Sequence, residues 1–254
     1  MEQALADEEF RLFLQPKINL KNGTLGGAEA LVRWITNKNV VIFPDRFIPL
    51  FEENGFCTKL DLYMVEKVCK QMREWIDQGF SVIPVSVNQS KLLFYEDHYV
   101  EKLCRITEKH QISPELITLE ILESLTLVDI EALNKCIIQL REKGFRISMD
   151  DFGTGYSSLN TLGKIEIDEL KLDRGFLLAA SGDNSQRQHL VMEQIIILAK
   201  KMNIATVSEG VENKADEQMI KRFGCDYGQG YLYSKPISAD DFTRKYLHEG
   251  NTQL

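Results

Sequence analysis

Long apolar runs are missing from this sequence. No stretch approaches the roughly 18 apolar residues that a membrane-crossing helix needs, although 44% of the 254 residues are hydrophobic. Residues 1–9 are acidic and have no apolar centre, so they do not resemble a secretory signal peptide. We therefore expect a soluble, cytoplasmic segment that makes no membrane contact itself, while the full-length protein could be membrane-attached.

Cysteine and histidine are also scarce. The five cysteines are odd in number and include no Cys-x-x-Cys pair, which argues against a disulfide framework and against a structural zinc site. We expect them to be reduced core residues. None of the four histidines lies in a motif described below, so oxygen ligands and a hard cation are favoured over zinc.

The sequence also has no excess of positively charged residues. Lysine and arginine number 30 against 38 acidic residues, which gives a net charge of −8. This balance disfavours duplex nucleic acid as a partner, because such proteins present a broad basic surface to the phosphates. A small anionic ligand remains possible where a metal reverses the local field.

Strand-like and helical segments alternate along almost the whole chain. Because α/β barrels often occupy this length as one domain, the pattern predicts an α/β fold, a TIM-like (β/α)8 barrel. The predicted strands are Phe10–Leu20, Leu25–Trp34, Val82–Asn88, Ile117–Leu122, Phe145–Asp151, Ile167–Asp173, Ile204–Glu209 and Cys225–Tyr231. The predicted helices are Lys59–Gln78, Asp97–Lys109, Asp129–Lys143, Ser185–Lys201 and Asn213–Phe223.

The first two predicted strands are separated only by Lys21–Thr24. This segment contains Asn-Gly, a hairpin signal, so the first strand is predicted to run antiparallel to its neighbour. We expect residues 1–9 to be a lead-in helix or linker from an upstream region, residues 10–248 to be the barrel, and residues 249–254 to be a tail.

Two adjacent carboxylates, Asp150 and Asp151, end the alternating strand in the segment FRISMDDFGTGYSS. Neighbouring acids repel each other unless a cation or several donors lie between them, so a buried pair would imply a divalent metal. For an isolated Asp-Asp, the commoner explanation is a helix cap followed by a turn residue.

Polar residues at the ends of other predicted strands favour the metal. The loops that follow barrel strands form one face, so Asn88, Glu120 and Glu209 should meet the Asp pair there. Oxygen donors of this kind suit Mg²⁺ or Mn²⁺. Two such ions can activate a water and stabilise both the attacking and the leaving oxygen of an in-line displacement.

In the second predicted strand, Glu29, Leu31 and Arg33 share one face, because side chains alternate along a strand. A carboxylate and a guanidinium at the same opening suit a metal beside a phosphate.

Seven motifs occur in the order of a known family: AEALVRW at 28–34, SVNQS, LEILES, DDFGTGYSS, DELKLDRGF, SEGVE and GQGY. Over roughly residues 10–245 the chain resembles the EAL-domain phosphodiesterases of bacterial cyclic di-GMP signalling. The resemblance implies hydrolysis of cyclic di-GMP to linear pGpG on a barrel with an antiparallel first strand. It also implies a homodimer and a sensory or cyclase-like domain upstream in the full-length protein.

The resemblance further implies a set of ligands for two ions, Mg²⁺ or Mn²⁺. The implied ligands of the first ion are Glu29, Asn88, Glu120 and Asp150. Asp150 would bridge to a second ion held by Asp151, with Glu209 nearby directly or through water.

Lys171 resembles the family lysine that orients the attacking water and stabilises negative charge in the transition state. Lys171 and Glu209 are both candidates for the general base. A buried lysine among carboxylates can instead be a purely structural ion pair.

The resemblance places three residues near one phosphate. Arg33 is expected to bind a non-bridging oxygen, Leu31 to lie beneath the substrate and Gln15 to supply an amide. The alternatives are a surface salt bridge for Arg33, a core position for Leu31 and, because proline follows it, a turn position for Gln15.

Four further residues are assigned, three of them with an alternative. Asp61 is a plausible acceptor for the guanine Watson–Crick edge, or an exposed helix acid. Gln229 resembles a family residue near the metals, and Tyr231 is expected near a base or in the core. Glu123 is expected to tether the loop after the Asp pair, which helps to form the family dimer, or that loop is a plain capped turn.

Three positions depart from the family pattern: Leu122 replaces a common threonine, Gly175 a serine and Ser208 a frequent alanine. None removes a ligand, and Leu122 bears on the loop-dependent rate. Two other functions remain open: a receptor that binds cyclic di-GMP with little or no turnover, and a barrel glycosidase. The glycosidase leaves Asn88, Lys171 and the Asp pair without roles.

Overall fold

The computed structural model describes residues 1–123, 130–153, 162–178 and 183–248. The strands are β1 (Phe10–Asn19), β2 (Leu25–Ile35), β3 (Val41–Ile42), β4 (Val85–Asn88), β5 (Ile117–Leu122), β6 (Arg146–Phe152), β7 (Glu169–Leu172), β8 (Ala205–Ser208), β9 (Tyr227–Gly228) and β10 (Ile237–Ser238). Eight of them close into a barrel in the order β1-β2-β4-β5-β6-β7-β8-β9, with β9 paired to β1. Strands β3 and β10 extend the sheet beside β2 and β1.

Strand β1 runs antiparallel to both of its barrel neighbours, β2 and β9, whereas the other neighbouring barrel strands are parallel. The predicted fold, including the antiparallel first strand, is therefore confirmed. The alternative of a turn position for Gln15 is wrong, because Pro16 lies opposite Ala28 and the ladder continues to Ile18. The other edge of β1 pairs only at Phe13–Leu14 and Ile18–Asn19, so it makes no bond at Pro16.

Helices cover the outside of the barrel. They are α1 (Glu2–Ala6), α2 (Pro44–Glu53), α3 (Cys57–Asp77), α4 (Tyr99–His110), α5 (Ile130–Glu142), α6 (Asp183–Lys201), α7 (Lys214–Phe223) and α8 (Ala239–Phe242). Helix α3 buries Leu60, Met64, Val68 and Met72, whose four-residue spacing forms one apolar face. In the part of the chain that the structure describes, no helix is long and apolar enough to cross a membrane.

The barrel strands are apolar towards the helices and polar towards the barrel axis. Val85, Val87 and Leu119 are at most 1% exposed in the outer core, while the alternating Ser86 and Glu120 are buried on the inner side. The barrel interior is therefore lined with hydroxyls and charges near its upper end, where the parallel strands terminate.

Some elements differ from the sequence prediction. Strands β3 and β10 and helix α2 were not predicted. Pro44 occupies the first position of α2, where proline is favoured. Strand β9 is shorter than the predicted Cys225–Tyr231. The chain leaves the sheet at Gly230, where a Cβ atom would lie 2.3 Å from the backbone of Val211.

The lead-in segment and the cysteines agree in part with expectation. Residues 2–6 are helical, and the Glu9 carboxylate accepts hydrogen bonds from Trp34 Nε1 at 2.8 Å and the Asn37 amide at 3.0 Å, which holds this segment on the hairpin. All five cysteines are free; two of them, Cys104 and Cys136, are only half-buried rather than core residues. The predicted tail at 249–254 lies outside the described residues.

An aromatic cluster fixes α2 and the start of α3 on the β1–β2 hairpin. Its rings are those of Phe10, Trp34, Phe47, Phe51 and Phe56. The Phe51 ring centroid lies 4.8 Å from that of Phe56 and 5.2 Å from that of Phe47. Phe51 is fully buried, whereas the adjacent Leu50 is 53% exposed.

We predict that Phe51→Ala destabilises the fold by about 3–5 kcal/mol, because a large cavity replaces a ring at the centre of this cluster. Leu50→Ala, the matched change one residue earlier, should stay within about 0.5 kcal/mol. Urea unfolding followed by far-UV circular dichroism measures both. Equal shifts of the two midpoints would contradict the assigned packing.

Candidate active site

The ends of the barrel strands gather carboxylates around one ammonium group. Lys171 Nζ on β7 lies 2.8 Å from Glu209 Oε1, 3.0 Å from Glu120 Oε2, 3.0 Å from Asp150 Oδ1 and 3.4 Å from Glu29 Oε2. Lys171 is 1% exposed. The residues predicted to share one face of the barrel therefore do meet there.

A bulge in β6 brings the second aspartate into the same site. Met149 pairs with Leu170 but Phe152 pairs with Leu172, so β6 has one extra residue between these positions. Asp151 takes a left-handed conformation, with φ of 56°, and its amide donates to Asp150 Oδ1 at 2.8 Å. On a regular strand the two side chains would point to opposite faces, whereas the bulge redirects Asp151 towards the opening.

The carboxylates form two groups whose oxygens are spaced for cation binding. Within each group the candidate ligand atoms lie within 4.8 Å of one another. The groups are Glu29, Glu120 and Asp150, and Asp150, Asp151 and Glu209. They share Asp150, the residue expected to bridge two ions. Asn88 lies beside the first group, with its Nδ2 donating to Glu29 Oε1 at 3.1 Å.

The charge of the site fits divalent cations. Burial and the neighbouring carboxylates raise the pKa of Glu29, Asp150 and Asp151, and they raise the pKa of Glu209 to about 8. Lys171 opposes these effects but does not cancel them. An all-oxygen donor set that cannot ionise fully without more positive charge suits Mg²⁺ or Mn²⁺.

Glu120 is the exception among these acids. Burial opposes its ionisation too, but Lys171 and a second ammonium, that of Lys17, outweigh burial and hold the pKa of Glu120 at about 2. The four carboxylates around Lys171 likewise outweigh its burial and keep the pKa of this lysine well above its ordinary value. These carboxylates therefore favour the charged form of Lys171.

A chain of amide side chains extends from Glu29 across the barrel seam. Gln229 Nε2 donates to Glu29 Oε2 at 2.5 Å and to Gln15 Oε1 at 3.0 Å, and Gln15 Nε2 donates to the Ser234 carbonyl at 3.1 Å. Gln15 lies directly opposite Glu29 in the β1–β2 register. Both glutamines are buried, so Gln229 is beside the proposed ligands, as expected.

Two cavities open beside the carboxylates, and Leu31 lines both of them. The first, of about 340 Å³, is polar and includes Glu29, Asp151, Glu209 and Tyr231 in its wall. The second, of about 210 Å³, is mainly apolar and has Asp61 at its wall. The Leu31 side chain thus lies in the wall between the two cavities and is not a core residue.

The burial of Asp61 and the exposure of Tyr231 rule out the alternative roles considered for these two residues. Asp61 accepts a hydrogen bond from the Ser90 amide at 2.7 Å, and burial raises its pKa to about 7, so it is not an exposed helix acid. Tyr231 is 59% exposed and therefore not a core aromatic. Its ring lies 5.2 Å from Lys235 Nζ.

Arg33 is held beside the opening by aromatic rings. Its guanidinium carbon lies 5.7 Å from the Phe13 ring centroid and 5.4 Å from that of Phe43, and its Nη1 donates to the Val32 carbonyl at 2.8 Å. Among the described residues it makes no salt bridge, so the expected alternative of a surface ion pair is wrong.

The start of the loop after β6 is attached to Glu123. The buried Glu123 accepts a hydrogen bond at Oε2 from the Gly153 amide at 2.8 Å. Residues 154–161, which carry the rest of this motif, lie outside the described residues. Leu122 is 38% exposed and lines the apolar cavity. Gly175 donates its amide to Asp173, and Ser208 is buried at the end of β8.

Sequence reasoning missed two buried charges below the cluster. Lys17 Nζ on β1 lies 2.7 Å from Glu169 Oε1 and 3.2 Å from Glu120 Oε1. Glu169 also accepts a hydrogen bond from Ser148 Oγ at 3.0 Å. The period of two would have revealed both, because Lys17 shares a face with Gln15 and Glu169 shares one with Lys171.

Comparison with known proteins agrees with this site. A sequence profile of the EAL domain matches residues 1–236. The chain belongs to the EAL domain family. The resemblance predicted from the seven motifs is therefore confirmed, and the barrel glycosidase is excluded as a family assignment.

This EAL domain is 35% identical over 240 residues to the bifunctional diguanylate cyclase/cyclic di-GMP phosphodiesterase MucR of Pseudomonas aeruginosa, a match that covers 94% of the chain and 35% of MucR. It is 33% identical over 244 residues to the probable cyclic di-GMP phosphodiesterase PdeB of Escherichia coli, covering 96% of the chain and 46% of PdeB. The chain thus spans between a third and a half of the length of these relatives.

Solved structures show the same fold. The MucR phosphodiesterase in its c-di-GMP complex matches with a TM-score of 0.87 at 35% identity, covering 95% of this chain and 97% of that chain. The EAL domain of DcpA from Mycobacterium smegmatis matches with a TM-score of 0.79 at 28% identity, covering 96% and 98%.

We predict that Mg²⁺ raises the melting temperature more at about pH 8.5 than at about pH 6. The pKa of Glu209 is about 8 in the folded protein, above its ordinary value of 4.5. Between pH 4.5 and pH 8, the metal-free native state therefore binds more protons than the unfolded state. The metal-free fold therefore loses stability as pH rises through this window, and a cation that replaces the proton restores it.

Thermal unfolding with EDTA and with Mg²⁺ across this range measures the effect. Glu209→Gln, which removes the titrating group, should flatten the pH dependence. A shift of equal size at every pH in the unmodified protein would contradict the prediction.

Proposed function

We propose that this EAL domain hydrolyses one phosphodiester of cyclic di-GMP to give linear pGpG, with two divalent cations, Mg²⁺ or Mn²⁺. The observation that carries the proposal is the convergence of five carboxylates at the barrel mouth, four of which lie within 3.4 Å of Lys171 Nζ. Relatives that match over nearly the whole chain are named as cyclic di-GMP phosphodiesterases, which supports the substrate.

The donor set supports two ions. The carboxylates are those of Glu29, Glu120, Asp150, Asp151 and Glu209. Their five negative charges are opposed by the positive charge of Lys171. Two divalent cations would therefore bring the cluster close to neutrality. Asn88 would complete the first group through its carbonyl oxygen. When bound, the cations would lower the pKa of a water and stabilise charge on the phosphate oxygens.

The residues of the chain supply the proton transfer and the fixed charge. Glu209 would accept a proton from the attacking water, because its carboxylate lies in the second cation group with Asp150 and Asp151 at the barrel mouth. The water oxygen then bonds to phosphorus, the bond between phosphorus and the 3′ oxygen breaks, and the proton taken up by Glu209 would be passed on to the 3′ oxygen, which leaves as a hydroxyl. Lys171, which stays protonated, would stabilise the negative charge and does not act as the base.

The cavities support the placement of the dinucleotide. Arg33 and Gln15 would hold a phosphate beside the cations, with Gln229 fixing Glu29. Leu31 would lie under the sugar-phosphate ring and Tyr231 against a base at the rim of the polar cavity. Asp61 would accept hydrogen bonds from the guanine Watson–Crick edge in the apolar cavity, where a planar base buries apolar surface.

The assembly of this domain stays a prediction. A homodimer formed through the loop tethered by Glu123 is consistent with the hydrogen bond to Gly153. An upstream sensory or cyclase-like domain is consistent with the greater length of the relatives. We place the domain in the cytoplasm, where bacterial cyclic di-GMP signalling operates.

Glu29→Ala is expected to reduce turnover of cyclic di-GMP by at least about 1,000-fold, because it removes an oxygen ligand and the anchor of Gln229. Arg33→Ala should mainly raise KM, since it removes a contact to phosphate made before and during the reaction. Glu131→Ala on the surface of α5 is the control and should change neither. Chromatography of pGpG under limiting Mg²⁺ measures all three.

Full activity of Glu29→Ala under those conditions would refute the assignment of this residue. Binding of cyclic di-GMP by the unmodified chain without any pGpG would instead favour the receptor.

Asp61→Asn is expected to weaken cyclic di-GMP binding about 10–100-fold, because a hydrogen bond to a charged group contributes about 1.5–3 kcal/mol. Glu52→Gln changes another acid at the same cavity and should leave the affinity within about twofold. Isothermal titration with Ca²⁺ in place of Mg²⁺ measures binding without the reaction. Equal losses in both variants would show that Asp61 does not recognise the base.

A further inference from the structure

Lys17 is a second buried ammonium in the barrel, lower than Lys171 and outside the predicted catalytic set. Its side chain is 6% exposed and points to the axis from β1, the antiparallel strand. Barrel interiors are normally filled by branched aliphatic side chains, so a lysine at this level is unusual. An ammonium held there needs charged partners, because its burial without them is costly.

The partners of Lys17 lie on two other strands. Its Nζ is 2.7 Å from Glu169 Oε1 and 3.2 Å from Glu120 Oε1. Glu169 has a further donor, Ser148 Oγ, at 3.0 Å. Glu169 therefore balances the charge of Lys17, and the contact to Glu120 is additional to that balance.

The two oxygens of Glu120 are divided between the two lysines. Oε1 faces down to Lys17 at 3.2 Å, and Oε2 faces up to Lys171 at 3.0 Å in the carboxylate cluster. The Glu120 side chain is fully buried. A carboxylate fixed at one oxygen by an ammonium cannot rotate freely and presents its other oxygen in one direction.

We propose that Lys17 is a positioning residue for the cation site: it holds Oε1 of Glu120 so that Oε2 is the oxygen offered to the cation. The inference rests on the cation-binding part of the proposed function and not on its substrate. Hydrogen bonds that orient a ligating carboxylate typically change metal affinity by about 10–100-fold when they are removed.

Three variants separate positioning from charge balance. Lys17→Met removes both contacts at similar length but leaves Glu169 buried without its partner. Lys17→Met/Glu169→Gln removes that unpaired charge as well. Glu169→Gln alone is the matched control, because it alters the Lys17 pair and keeps the contact between Lys17 and Glu120.

The readout is Mn²⁺ affinity, measured by electron paramagnetic resonance of free Mn²⁺ without nucleotide, together with the melting temperature in EDTA. We expect the double variant to be folded and to bind Mn²⁺ about 10–100-fold more weakly than the unmodified chain. Glu169→Gln should stay within about threefold. A purely structural role would lower the melting temperature of the folded variants without this selective loss of affinity.

Unchanged or tighter Mn²⁺ binding by the double variant would overturn the proposal, and tighter binding would show that Lys17 acts by repelling cations. Failure of both Lys17 variants to fold would overturn it too, by showing that Lys17 maintains the barrel itself. Turnover is measured separately. An unmodified chain that binds Mn²⁺ but leaves cyclic di-GMP intact would end the proposed function and leave the assignment of Lys17 standing.

Discussion

The structure depends on a local excess of buried negative charge. Five carboxylates are brought to one end of a closed barrel, where Lys171 contacts four of them and Lys17 reaches only Glu120 from below. Such a cluster would be strongly unfavourable in an apolar core, and the raised pKa of Glu209 shows the unmet demand for positive charge. The cluster is therefore suited to binding cations, which would supply the missing positive charge.

Two departures from regular barrel geometry make this concentration possible. The antiparallel hairpin places Gln15 directly opposite Glu29, which a parallel neighbour joined by a helix would not do at such short sequence distance. The bulge in β6 turns Asp151 to the same side as Asp150. Without these two features, neither the amide support of Glu29 nor a pair of adjacent ligands would be available.

Much of the fold and site could be predicted from local patterns. Alternation along strands correctly placed Glu29, Glu120 and Lys171 on the inner face, and Asn-Gly correctly indicated the hairpin. The bulge could not be predicted, because a strict period of two sends Asp150 and Asp151 to opposite faces; their adjacency at a strand end and the family resemblance indicated one site without showing the backbone geometry that forms it. Lys17 lay within the predicted first strand but was missed, because no motif marks it and its partners Glu120 and Glu169 come from distant strands that only the fold brings together.

The hydrogen bond between Gln15 and Gln229 joins residues 214 positions apart in the chain. It lies at the seam where β9 closes against β1, the last barrel contact that can form as the polypeptide emerges from the ribosome. Of the two amide side chains that donate to Glu29, that of Asn88 comes from a neighbouring strand, whereas that of Gln229 reaches it only across this closing seam. The geometry of Glu29 thus depends on contact between the two ends of the barrel sequence.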